Sequence, residues 1–422
     1  MTPDASHAAY GARVMAWADT LRRWSDHDEH LTCTYLTPAH RATAEQIAQW
    51  MHEAGFDSVH HDAVGNVVGR YDAAPGAARP YLVATGSHYD TVRNGGRYDG
   101  RLGILLPIAV VAELHRRGER LPYDFEVIGF AEEEGVRYGT TFLGSSAYIG
   151  QFNPGWLDLS DAAGVPMRQA LAQAGLDPQG IARAAVEPGR LRHFFEVHIE
   201  QGPVLLHTGL PLGVVTSIAG CVRRHVALTG QAGHAGTTPM GMRRDAACAA
   251  AEIVLYVESR CAQADSLVGT VGMLEVPAGS TNVIPGTCHL TLDVRAADDA
   301  TRDAALADID AKIAEICARR GIDYRMEERM RVPASPCAAA HRALWRDVLA
   351  EAGHTVHELP SGAGHDAMLV GRTVPMSMLF VRCGNGGVSH NPQETMTPQD
   401  AELAGRAVER FLQKLGGLDA AA

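Results

Sequence analysis

The run FEVIGFAEEEG, residues 125–135, decides the fold. From Phe125 to Ala131 it is apolar enough to read as a strand buried on both faces, and it ends abruptly in Glu132, Glu133 and Glu134. Three adjacent carboxylates repel one another unless a cation or a shared proton absorbs the charge. Working outward, Tyr81 to Thr85 reads as a strand, followed by a Gly-rich loop through Gly100 and a helix to about Arg117. Phe194 to Ile199 and Met376 to Val381 read as further strands. Thr37 and Pro38 open a helix that Gly55 closes, and Thr397-Pro398-Gln399-Asp400 caps a last amphipathic helix. Strands alternating with helices predict an α/β sheet covered on both faces, with polar residues collected beyond strand ends.

The middle of the chain has another rhythm. Strands are expected at Leu212 to Ile218 and Val222 to Leu228, then an Ala-rich helix from about Met242 to Ala262. Strands near Ser266 to Val276 and Cys288 to Arg295, a helix Asp299 to Arg319 and a strand Asp323 to Val332 follow. The order is that of a ferredoxin-like α+β domain. Ser335 and Pro336 then read as the start of a helix that returns to the first sheet. The expected organisation is a discontinuous catalytic domain, residues 1–212 and 333–422, with an inserted domain, residues 213–332.

Composition narrows the function. With 37 Lys and Arg against 49 Asp and Glu, the net charge of -12 repels phosphate backbones and anionic lipid, so neither nucleic acid nor membrane is an expected partner. The N-terminal residues lack the unbroken apolar stretch of a signal peptide, and the run Leu102 to Ala112 is too short to span a bilayer. The eight cysteines show no paired spacing and read as reduced, buried thiols. A cytoplasmic location is the default expectation. The 20 histidines raise the question of metal or proton chemistry.

Five segments concentrate ligand-type residues at strand ends. GSHYDTV, residues 86–92, places His88 two residues before Asp90, a carboxylate able to accept the second ring proton of a metal-bound imidazole. GGRYDG, residues 95–100, brackets Asp99 with glycines; alone it reads equally as a helix-capping aspartate. The glutamate triplet is the third. HIEQGP, residues 198–203, puts His198 and Glu200 on one strand face by alternation, and SHNPQE, residues 389–394, carries His390 after a glycine-rich loop. Two or three histidines with two or more carboxylates suit a pair of zinc-like ions sharing one bridging carboxylate.

In these segments, and from about residue 10 to 415, the chain resembles the M20 family of di-metal amidohydrolases, in particular its hydantoinase/carbamoylase branch. The resemblance implies a di-zinc aminopeptidase-like catalytic domain with the inserted domain as lid and homodimer interface. It implies two divalent ions per subunit, Zn with Mn, Co or Ni as alternatives. His88 and His198 would bind one ion, Glu134 and His390 the other, and Asp99 both. Glu133 would be the general base, Asp90 would orient His88, and His234, in GQAGHAGTTP (residues 230–239), would stabilise the oxyanion. Arg295 would grip a substrate carboxylate, Asn282 and Gln201 a ureido group, and Gly364 and His365 would line the pocket. Whether the inserted residues act within one subunit or across a dimer stays open.

The implied activity is hydrolysis of the ureido C–N bond of an N-carbamoyl-L-amino acid or allantoate, releasing ammonia and carbon dioxide. A peptidase or acyl-amino-acid deacylase of the same fold is the first alternative. A metal-containing binding protein without catalysis is the second, and a free Glu133 beside Glu134 argues against it.

Overall fold

Three neighbouring strands run parallel at the heart of the computed structural model: Asp124–Phe130, Leu82–His88 and Leu191–Ile199, with Met376–Val381 continuing parallel on the far side of the last. The structure describes residues 10–77 and 81–420; the first nine residues of the N-terminal stretch read above lie outside them. Every residue of Leu82–His88 and Met376–Val381 is buried, as both faces of a helix-covered parallel sheet require. Antiparallel strands flank this core: Val67–Tyr71 and Ser58–His61 beyond Asp124–Phe130, and Leu212–Ile218 beyond Met376–Val381.

The helices Leu102–Arg117, Ala339–Glu351 and Pro398–Ala420 pack together beside the sheet, where the rings of Trp345 and Phe411 stack 3.8 Å apart at 8°. Thr37 caps the helix Pro38–Glu53 by accepting the His40 N–H, and Thr397 accepts that of Asp400 as anticipated. No helix among the described residues is long and apolar enough to cross a membrane.

The chain divides into two compact units. One takes the residues up to Thr216, Cys337–Leu359 and those from His365 onward; the other takes Ser217–Pro336 together with Pro360–Gly364. The second unit is an antiparallel sheet in the order Leu274–Glu275, Thr287–Ala296, Gly220–Thr229, Asp323–Val332, with Leu267–Thr270 also pairing Thr287–Ala296. Thr287–Ala296 alternates strictly, turning Cys288, Leu290, Leu292, Val294 and Ala296 into a core shared with the helices Ala246–Cys261 and Asp299–Arg320.

Local expectations needed correction in four places. Ser335 and Pro336 do not begin a helix; they pair with Ile218 and Ser217, and the helix starts at Ala339. The strand near Ser266 to Val276 breaks in two, because the Thr291 hydroxyl accepts the Met273 N–H that a continuous ladder would use. The Ala-rich helix starts at Ala246, not Met242, since Asp245 caps it by accepting the Ala247 and Cys248 N–H groups. All eight cysteines are free, but Cys248 is exposed.

His40 shows what the core demands of a polar side chain. It is buried, its Nε2 lies 2.6 Å from the Ala131 carbonyl oxygen, and its ring packs on Tyr89. Burial pushes its pKa down to about 4, so folding excludes a proton that the unfolded chain binds below about 6.5. Stability is therefore lost as pH falls from about 6.5 to 4, by up to about 3 kcal/mol from this group. Thermal melts of the wild type and His40→Gln across that range should show a shallower acid loss in the variant; parallel slopes would contradict it.

Candidate metal centre

Parallel strands end on the same edge, and here the ends carry the chemistry. His88 is the last residue of Leu82–His88 and pairs in register with Phe130, two residues before Glu132. His198 pairs with Phe380, whose strand leads to the loop holding His390. Asp99 arrives from the turn before the helix Leu102–Arg117, and this turn needs glycine: Gly100 has φ +66°, and a Cβ there would stand 2.5 Å from the His88 ring.

Asp99 is the centre. Its Oδ1 lies 3.7 Å from His88 Nε2 and 3.3 Å from His198 Nε2, while Oδ2 lies 3.1 Å from His390 Nε2. His390 Nε2 is also 3.6 Å from Glu134 Oε1. The potential ligand atoms of His88, Asp99 and His198 all lie within 4.8 Å of one another, as do those of Asp99, Glu134 and His390, and those of His88, Glu133 and Glu134. One carboxylate thus has a separate set of nitrogen donors at each oxygen, a donor arrangement that fits two divalent cations sharing Asp99.

The other nitrogen of each buried imidazole is engaged. His88 Nδ1 is 3.1 Å from the Asp90 carbonyl oxygen and 3.4 Å from its Oδ1, and His198 Nδ1 is 2.9 Å from the Ile199 carbonyl oxygen. These contacts leave Nε2 pointing inward. Asp90 also holds the glutamate run, its two carboxylate oxygens accepting the Glu133 and Glu134 N–H groups at 3.1 Å each.

The electrostatics is that of crowded carboxylates. Burial raises Glu133 well above the usual carboxylate range despite His88, and it raises Glu134 to about 7. Asp99 is driven the other way: burial is outweighed by His198, His390 and His88, which hold it well below its ordinary value. His390, hydrogen-bonded to Asp99, is raised to about 9. The protein alone thus balances this cluster with shared protons, and a cation would do so better.

Other expected residues fall into three groups. Gln201, at φ +56°, directs Nε2 to both Asp99 oxygens at 3.2 Å and to His390 at 3.3 Å. His365 is buried with its ring 4.5 Å from that of His198, and burial beside that ring holds its pKa well below the ordinary value. Glu200, expected on the His198 face, instead accepts the Val204 and Leu205 N–H groups, since the strand ends at Ile199 and its alternation with it.

His234, Asn282, Arg295 and Gly364 belong to the second unit. There Gly233–His234 pairs with Val283–Ile284, and the Ala235 N–H donates to the Asn282 carbonyl, bringing those two motifs together. Both side chains are exposed. Arg295 lines a cavity of about 690 Å³ with Arg223, His225, Thr270, Thr291 and Asp293. Its Nε and Nη2 donate to Asp293 at 2.8 and 2.9 Å, and Nη1 donates to the Gly362 carbonyl at 2.8 Å.

Three buried acids were not singled out in sequence. Glu196 accepts the Ser87 hydroxyl and the Ala367 N–H, Asp366 is fully buried, and Glu394 grips the Asp99 loop. Glu394 and Asp366 had a local signal, the first as the last residue of SHNPQE and the second as the residue after His365 in GAGHDA, residues 362–367.

A family model described as Peptidase family M20/M25/M40 matches residues 84–414, and the chain belongs to that family. It is 38% identical over 427 residues to allantoate deiminase 1 of Glycine max, covering 94% of this chain and 87% of that protein. It is 37% identical over 380 residues to an N-carbamoyl-L-amino acid amidohydrolase of Geobacillus stearothermophilus, covering 90% and 92%. Among solved structures, an amidase of the hydantoinase/carbamoylase family from Burkholderia multivorans matches with a TM-score of 0.88 at 31% identity, covering 96% of this chain and 97% of that one. The branch named from the motifs is the branch of these relatives.

Chelator treatment is expected to abolish hydrolysis and to lower Tm, with both restored by a divalent cation, because a ligand that binds only the folded state stabilises it. Full activity after exhaustive chelation, checked by elemental analysis, would contradict the metal fit.

Proposed function

We propose that the protein is a divalent-metal-dependent amidohydrolase that cleaves the ureido C–N bond of a small carboxylate, allantoate or an N-carbamoyl-L-amino acid, and releases ammonia and carbon dioxide. The observation that supports it most is Asp99, with His88 and His198 at one oxygen and His390 at the other. In this reading His88 and His198 would hold one ion, Glu134 and His390 the second, and Asp99 would serve both; zinc would suit the set, as would Mn, Co or Ni.

The ions would supply Lewis acidity that makes water nucleophilic near neutral pH and polarises the ureido carbonyl. Glu133 takes the proton from the attacking water and delivers it to the departing nitrogen. A buried carboxylate is a stronger base than an exposed one, which suits it to that exchange. His234 donates to the developing oxyanion, and Asn282 and Gln201 hold the ureido group. Arg295 binds the substrate carboxylate. With Nε and Nη2 donating to Asp293 and Nη1 to the Gly362 carbonyl, one N–H remains on each terminal nitrogen for that carboxylate. Gly364 and His365 line the pocket, and Asp90 keeps His88 oriented.

The second unit serves in this reading as lid and as homodimer interface. It carries Met240, Met242, Leu255, Met273 and Leu274, each more than half exposed, and such side chains favour a protein partner. The chain's compartment is the cytoplasm in the same reading.

A panel of allantoate, ureidoglycolate and several N-carbamoyl-L-amino acids, read by ammonia release, tests the reaction. Preference for acyl-amino acids or dipeptides would replace it with the peptidase or deacylase reading. Glu133→Gln is expected to lower kcat at least about 100-fold with metal content unchanged. Unchanged turnover in that variant would remove Glu133 as the base.

A further inference from the structure

Asp99 and His390 both sit on loops, 291 positions apart in the chain, and one buried side chain connects them. Glu394 is 1% exposed. It accepts the Tyr98 N–H at 2.8 Å and the Asp99 N–H at 3.3 Å through Oε1, and the Ser389 hydroxyl at 2.9 Å through Oε2. Ser389 Oγ in turn lies 3.2 Å from Asp99 Oδ2. A carboxylate is costly to bury without compensation, and here three donors provide it, all of them on the two loops that bring in Asp99 and His390.

The fit extends to the backbone. A Cβ on Gly96 would stand 2.1 to 2.2 Å from the Glu394 carboxyl atoms, so the GGRYDG loop closes directly onto the carboxylate. His390 has φ +54°, a left-handed conformation that a non-glycine residue adopts at a cost of about 1 kcal/mol or more, so its neighbours must impose it. Its side chain is half exposed and has little packing to do so. Ser389, immediately before it, is the residue that Glu394 holds.

We propose that Glu394 is a positioning residue: it fixes the main chain at Asp99 and, through Ser389, at His390, setting the separation at which the second cation is held, while binding no cation itself. This rests on the two-cation reading above. It places the weak point of the centre at the His390 side, because His88 and His198 are anchored in strands independently of Glu394.

The test is Co²⁺ titration of the chelator-stripped full chain, followed by visible absorption and calorimetry, on wild type, Glu394→Ala, Glu394→Gln and His390→Ala. Glu394→Ala is expected to bind one equivalent as wild type does and the second about 10- to 100-fold more weakly. It should resemble His390→Ala in its absorption spectrum. At limiting metal kcat should fall with KM unchanged, and excess Co²⁺ should restore it. Glu394→Gln keeps an acceptor for the two N–H groups and a partner for Ser389, and is expected to recover most of the affinity. Should Glu394→Ala fail to fold, Ser389→Ala cuts the His390 link and the hydroxyl's contact with Asp99 Oδ2, the oxygen that faces His390, while leaving the Glu394 contacts to the Tyr98 and Asp99 N–H groups, and should weaken the second equivalent alone. Two equivalents of unchanged affinity in Glu394→Ala or Ser389→Ala, with only Tm lowered, would overturn the proposal. Wild type binding fewer than two equivalents would overturn the two-cation reading and this proposal with it.

Discussion

Everything in the candidate centre depends on one buried carboxylate meeting three imidazoles. Asp99 is 4% exposed, and its two oxygens face different histidines. The neighbouring acids make that encounter necessary: Asp90, Glu133 and Glu134 gather at the same strand ends, and burial favours the neutral forms of the two glutamates. A sheet with four adjacent parallel strands concentrates side chains at one edge, and the charge concentrated there sets the chemistry that the edge can perform.

Segments whose role is local were readable in the sequence. His88 and Asp90 are two residues apart and meet; Thr37 and Thr397 cap their own helices; the period of Thr287–Ala296 fixes which side chains enter the core. Readings failed where a local pattern was extended past its physical limit. Alternation put Glu200 beside His198, yet alternation holds only while the strand lasts, and beyond Ile199 the side chain turns to two backbone N–H groups. Ser335-Pro336 has the chemistry of a helix start, but the residues at 217 and 218 offered a strand to pair with first. Glu394 could not be placed by any local rule, because its partners at Tyr98 and Asp99 are 296 and 295 positions away.

The second unit shows the same division. Arg295 is visible in sequence as a strand-end charge, and so is Asp293 two residues before it. Their bidentate pairing follows from alternation, which puts both on the face away from the helices. The approach of Asn282 to the His234 segment does not, since it is made by a two-residue ladder between loops that no periodicity announces.

The proposed separation of roles between Glu133 and Glu134 rests on geometry, not on composition. The two are adjacent, chemically identical and both buried or nearly so, and the proposed reading makes one a ligand and the other a base. Asp90 accepts both of their N–H groups, which fixes the backbone just beyond the strand. With the backbone fixed, Glu134 reaches to within 3.6 Å of His390, whereas the strongest opposing charge at Glu133 is His88. Asp90, expected from sequence to orient His88, also anchors the backbone of both glutamates, on which the proposed division between ligand and base rests.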